Sequence, residues 1–200
     1  MILAPLDQLV DALSALPGIG KKTARRLAFF LVDSDTEISG KIVDAINQCN
    51  NLLGKCPQCG LYSIKNQNCS ICSSENRNRN IICVVSRPQD VIAIESSHGF
   101  NGVYHILGGN IAPLDGIGPE DLTIDRLLDR ISSDNVNELI FALDNTVDGE
   151  TTSHYLAAVV PQNVTISRIA AGIPFGGELE YTDGVTISRA LEFRTQYKRL

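Results

Sequence analysis

At 200 residues and 21.7 kDa the chain has room for one ordinary domain or a main domain with small modules, and its 44 % apolar and 20 % charged residues exclude collagen-like, fibrous and disordered classes. No run approaches the ~18 consecutive apolar residues of a membrane span, and the opening MILAPLDQLVDALSALPG holds two Asp and no basic stretch, so a soluble cytoplasmic protein with no membrane partner is expected. The formal charge of −6 argues against a phosphate backbone as partner until its distribution is read: residues 1–80 hold nine Lys/Arg against seven Asp/Glu, residues 81–200 eight against sixteen.

In chain order, Leu6, Leu9, Val10, Leu13 and Leu16 recur at helical spacing and predict a first helix ended by Pro17 and Gly18. Ala24, Leu27, Ala28 and Leu31 predict a second, after a Leu-Pro-Gly-Ile-Gly turn. A third is expected over 39–53, with Ile42, Val43, Ile46 and Leu53 on one face and Cys49 as a small core residue among them. Residues 55–80 are polar and Asn-rich, too poor in apolar residues to build a core. Beyond them IICVV (81–85), VYHIL (103–107), ELIFAL (138–143) and VTISRI (164–169) predict buried strands, alternating with helices over 90–97, 122–132 and 151–160, with a last helix near 186–194. Such β-α alternation predicts a mostly parallel sheet, with Cys83 buried in its first strand.

Six Cys invite a disulfide reading, but four of them form two CxxC pairs, Cys56-Pro-Gln-Cys59 and Cys69-Ser-Ile-Cys72, nine residues apart in a chain with no mark of secretion. Four thiolates at that spacing suit one tetrahedral Zn²⁺ per chain. With every ligand supplied by protein, no position is left for water or substrate, so the ion is expected to be structural and to replace the missing core by coordination.

The turn Leu16-Pro17-Gly18-Ile19-Gly20-Lys21-Lys22-Thr23 fails the G-x-x-x-x-G-K-[ST] pattern of a P-loop, because Ala15 stands at the first Gly and Lys22 separates Lys21 from Thr23. Its glycines instead leave backbone N–H groups facing outward at a helix start, where an anion is favoured. No acidic residue lies between Asp11 and Asp33, and Lys21, Lys22, Arg25 and Arg26 fall within six positions. At 100° per residue Lys22 and Arg26 face away from the apolar stripe. The helix-Gly-x-Gly-helix pattern resembles a helix-hairpin-helix, which holds DNA by its backbone without reading sequence.

The β-α half resembles a Toprim domain, whose catalytic members carry a Glu after the first strand and an Asp-x-Asp pair after a later one to hold Mg²⁺. Here Ser86 stands at the Glu position, and Leu143-Asp144-Asn145-Thr146 puts Thr146 at the second Asp. A Mg²⁺-dependent nuclease or primase would have to work with Asp90, Asp144, Asp148 and Glu150. Those four could gather at the carboxyl ends of the strands as a weak cation site or a contact for another protein, or Asp148 and Glu150 could serve only the dipole of the helix they begin. His98, His105 and His154 form no group with a Ser or Cys.

Taken in order, LPGIGKKTARRLAFFLV, CPQC with CSIC, IICVVSRPQDV, PLDGIGPEDL, TVDGETT and SRIAAGIPFGGELEYTDG make the chain from about 5 to 195 resemble the bacterial recombination-mediator family RecR. The resemblance implies an α+β multi-module fold: a helix-hairpin-helix domain over 1–54, a small four-cysteine zinc finger over 55–80, an α/β Toprim domain over 81–175, and a C-terminal segment over 176–200 that contacts other copies. It implies a non-enzymatic protein of recombinational DNA repair, active at the nucleoid, that forms a dimer or tetramer ring on DNA and works with RecO and RecF to load RecA at single-strand gaps. Lys22 and Arg26, with Lys21 and Arg25 beside them, would touch DNA; Cys56, Cys59, Cys69 and Cys72 would hold zinc; Asp90, Asp148 and Glu150 would serve contact with RecO and with DNA.

Overall fold

The computed structural model describes residues 3–34, 36–170, 172–174 and 176–194. Residues 195–200 of the C-terminal segment lie outside them. The chain divides into two compact units, residues 1–54 and 55–200.

The first unit is three helices, α1 (Ala4–Ser14), α2 (Lys21–Asp33) and α3 (Thr36–Leu52). Pro5 falls in the first turn of α1, where its missing N–H costs nothing. Between α1 and α2 the chain reverses at Gly18, whose φ of +80° is a left-handed conformation that a side chain would disfavour. The core of this unit is slight: Val10, Ala24 and Ala28 are buried, with Leu6, Leu9, Leu13 and Ile19 packed around them. The two alanines let α1 approach α2 closely. Helix α3 turns no described residue fully inward. Its apolar face, Ile38, Ile42, Val43 and Ile46, is exposed, and Cys49 with it, so the expectation of a core cysteine is corrected. The periodicity is that of an amphipathic helix, but no described residue of this unit covers the stripe.

After α3, a two-stranded sheet, β1 (Leu53–Lys55) with β2 (Tyr62–Ile64), and a single helical turn α4 (Ser70–Ser73) frame the paired cysteines. Then follow β3 (Asn78–Val85), α5 (Pro88–Ser96), β4 (Gly102–Ile106), α6 (Ile124–Ser133), β5 (Glu138–Ala142), α7 (Val147–Val159), β6 (Thr165–Arg168) and α8 (Gly184–Glu192). The four strands pair in the order β4-β3-β5-β6, all parallel, as the β-α alternation predicts. Helix α7 begins four residues ahead of the predicted start, because Thr146 caps it by accepting a hydrogen bond from Gly149 N–H at 3.2 Å. Gly149 is held to glycine by proximity: a Cβ there would lie 1.9 Å from the Asp144 carbonyl oxygen.

Side chains alternate across the central strands. Ile82, Val84, Val103, Leu139 and Phe141 face a core completed by Leu127 and Ile131 of α6 and Leu156 of α7. Cys83, Val85, Tyr104 and Ile106 face the other way, into a cluster that includes all four paired cysteines and Val91 of α5. The cysteine module is therefore packed on one face of the sheet. It also meets the sheet edge, where Ile106 N–H donates to the Cys59 carbonyl at 2.9 Å. A second tie runs from Arg77, which binds Glu95 of α5 and the carbonyls of Phe100 and Gly102, while the Tyr104 hydroxyl donates to Glu95 at 2.6 Å.

Candidate functional site

All four paired cysteines are buried, and their sulfurs lie within 4.8 Å of one another. Cys59 and Cys69 Sγ are 3.6 Å apart. Four Zn–S bonds of about 2.3 Å set tetrahedrally would put sulfurs about 3.8 Å apart, so the cage fits a zinc ion. Backbone N–H groups point at the sulfurs: Leu61 N–H to Cys59 at 3.4 Å, Cys69 N–H to Cys56 at 3.4 Å and Cys72 N–H to Cys69 at 3.5 Å. Such donors favour thiolate over thiol. As free thiols the group shares its protons unevenly. Hydrogen bonds from Cys59 and Cys72 pull Cys69 well below the usual thiol range, and the same bonds, with burial, push Cys59 and Cys72 up. A bound cation would favour all four as thiolates, making affinity fall with acid. Cys83, under the same sheet face, is pushed up to about 12 by burial alone and is chemically quiet.

The second candidate is the start of α2. Gly20 is its N-cap and offers no side-chain acceptor, and no acid stands in the first turn. The N–H groups there are open to an external anion. Lys22, Thr23 and Arg26 line a cavity of about 190 Å³. Of the four cations singled out in the sequence, Lys22 and Arg26 meet around that cavity, while Lys21 and Arg25 stand outside its lining. All four are exposed and none forms an ion pair among the described residues. Thr23 is an addition that charge patterning missed; its spacing of three from Arg26 is the signal that finds it.

The acids of the α/β half are kept apart. Asp90 accepts from Arg87 N–H at 2.8 Å and caps α5. Asp144 accepts from Asn110 Nδ2 at 2.9 Å and faces the Arg87 guanidinium at 3.4 Å. Glu150 is bound by Arg168 at 2.8 and 3.2 Å, which holds its carboxyl below the usual range, and Arg189 of α8 stands at 3.7 Å. Asp148 sits in the first turn of α7 with its carbonyl accepting from Thr152. Among the described residues only the cysteines form a group of three or more His, Cys, Asp and Glu with ligand atoms close enough for one ion. At the Toprim Glu position, buried Ser86 donates to Asn110 Oδ1 at 2.8 Å, so Ser86, Asn110, Asp144 and Arg87 form one hydrogen-bonded chain. Asn110, Arg87 and Arg168 could not be found from motif spacing, since each reaches its carboxylate from another element. A cavity of about 200 Å³ opens beside them, lined by Asp144, Asn145, Glu150 and Arg168.

Family models match three stretches of the chain. A model described as "RecR, helix-hairpin-helix" matches residues 6–49, a Toprim domain model matches 80–170, and a model described as "RecR, C-terminal" matches 172–195. The recombination protein RecR of Methylococcus capsulatus is 43 % identical over 193 residues, covering 96 % of this chain and 97 % of its own. That of Cutibacterium acnes is 44 % identical over 191 residues, 95 % of this chain and 94 % of its own, and that of Pelotomaculum thermopropionicum is 44 % identical over 195 residues, 97 % of each. With identity at that level running from the hairpin through the cysteines to the last helix, the chain belongs to the RecR family of recombination proteins.

Proposed function

We propose that the protein is a DNA-binding recombination mediator without turnover, which assembles into a ring or clamp and works with RecO and RecF to load RecA at single-strand gaps. The observation that carries the DNA contact is the uncapped start of α2, with Lys22, Thr23 and Arg26 around one cavity and no acid in the turn. A phosphate oxygen is the anion of matching size and charge, and Lys22 with Arg26 would neutralise its neighbours along a strand. Contacts of that kind position the protein and read no sequence. Self-association is supported by the exposed apolar face of α3 beside a three-residue core. A structural zinc held by Cys56, Cys59, Cys69 and Cys72 belongs to this reading.

The absence of turnover is supported by how the Toprim acids are used. Asp144 and Glu150 each face an arginine, and Ser86 and Thr146 are committed to an internal hydrogen bond and a helix cap. We assign Asp90, Asp148 and Glu150 to a contact with a partner protein instead. The deciding experiment compares DNA binding by the wild type and a Lys22→Ala, Arg26→Ala double variant. The variant should keep its fold and zinc content yet lose most of its affinity, and wild-type affinity should fall steeply with salt. Equal affinities at moderate salt would sink the assignment, and reproducible Mg²⁺-dependent cleavage or synthesis by the wild type would replace it with an enzyme.

A further inference from the structure

The β1–β2 hairpin of the cysteine module has two faces with different fates. Cys56 N–H donates to the Leu61 carbonyl at 2.7 Å, which sets the register and puts Lys55 opposite Tyr62. Alternation then turns Ser63 inward, 9 % exposed, and leaves Tyr62 and Ile64 outward, 57 % and 47 % exposed. The hairpin is firmly held. Two of its cysteines, Cys56 and Cys59, belong to the buried sulfur cage, Ser63 Oγ donates to the Gln67 carbonyl at 2.8 Å, and Asn66 completes the turn at φ +62°. On this rigid support the Tyr62 hydroxyl makes no hydrogen bond and its ring meets no other ring among the described residues.

Charge tells what suits the face. Residues 55–79 hold Lys55, Lys65, Arg77 and Arg79 against Glu75 alone, in a chain that is acidic overall. Arg77 is used internally by Glu95, and Arg79 by the Cys72 carbonyl. Lys55 is exposed across from the tyrosine ring and forms no ion pair among the described residues. An accessible aromatic face with a cation at its side matches an unstacked base and its phosphate. A duplex, whose bases are stacked inside, offers no such base.

We propose that this outer face is a base-stacking site for single-stranded nucleic acid, with Tyr62 as the platform and Lys55 as the phosphate contact. It rests on the DNA-binding reading above and adds a strand preference that the backbone contacts of α2 do not supply.

The chain contains no Trp, so a Tyr62→Trp variant carries a single indole. Titrating the full-length, zinc-loaded variant with oligothymidylate should quench that emission over the same concentrations at which labelled oligonucleotide gains anisotropy, and a blunt duplex should bind without quenching. Tyr62→Ala should weaken single-strand binding about five-fold or more, Tyr62→Phe should retain it, and duplex affinity should stay level in both. Zinc content checks that each variant is folded. An indole that does not respond while anisotropy reports binding overturns the stacking site. So does an unchanged single-strand affinity in Tyr62→Ala, including the case where that variant alters only the mass of the assembly and the face thus belongs between copies. Absence of any DNA binding by the wild type overturns the function reading itself, and Lys22→Ala with Arg26→Ala separates the two, since it should lower duplex and single-strand affinity alike.

Discussion

His105 on β4 is almost wholly enclosed, and its Nε2 lies 3.0 Å from the Thr123 carbonyl and 2.9 Å from the Thr123 hydroxyl. A carbonyl only accepts, so Nε2 carries the proton and Nδ1 is a buried acceptor with no partner among the described atoms. Burial pushes the imidazole pKa down from 6.5 to about 4. The unfolded chain therefore binds a proton that the folded one refuses. The stability His105 contributes is complete above pH about 6.5 and is lost as pH falls toward about 4, with a slope of at most about 1.4 kcal/mol per unit. Denaturant unfolding of wild type and His105→Gln at pH 7 and pH 5 isolates this from acid effects on the cysteines, which both proteins share: the gap between them should narrow at pH 5, and a constant gap would refute it. At this scale the sequence was legible for residues whose chemistry follows from spacing, such as the cysteines. It placed His105 in a buried strand but not its partner, Thr123, which stands eighteen residues on, just ahead of α6.

Between elements, the cysteine cage supplies a core that the sequence of residues 55–80 cannot build. Its four thiols sit in one cluster with Cys83, Val85, Tyr104 and Ile106, so cage and sheet are one packing unit. Atomic absorption should find the proposed one zinc per chain; removing it with a chelator should lower the thermal midpoint of the whole second unit, and Cys59→Ser or Cys72→Ser should do the same and abolish the metal signal. A chelated protein with an unchanged melting curve would show the cage to be dispensable. Strands β3 to β6 and their helices were readable because each is a short apolar run bounded by polar turns. Where the reading slipped, local hydrogen bonding decided: α7 starts early because of the Thr146 cap, a detail that apolar periodicity does not register. The apolar spacing of α3 is amphipathic as read, but spacing cannot tell what covers the stripe, and Cys49 is exposed among the described residues.

For the molecule as a whole, the first unit has too little buried surface to stand without help. Val10, Ala24 and Ala28 are its only fully buried apolar residues among those described, while Phe30, Val32, Val43 and Ile46 are each more than half exposed. Units of about fifty residues need a larger core, a staple or a partner. A second copy is the partner that we propose. Light scattering should report a multiple of the 21.7 kDa chain, and Val43→Glu with Ile46→Glu should reduce that mass; a wild-type monomer would count against the ring. The Cys59 carbonyl on the outward N–H of Ile106 has a consequence of a different kind. All five residues of β4 are buried, and withdrawing the module would leave the Ile106 N–H without its acceptor on an uncovered strand border. The cysteine module is then a guard against intermolecular strand pairing. Zinc-starved preparations should precipitate before they unfold, and their yield should follow the metal content of the growth medium more closely than the temperature of expression.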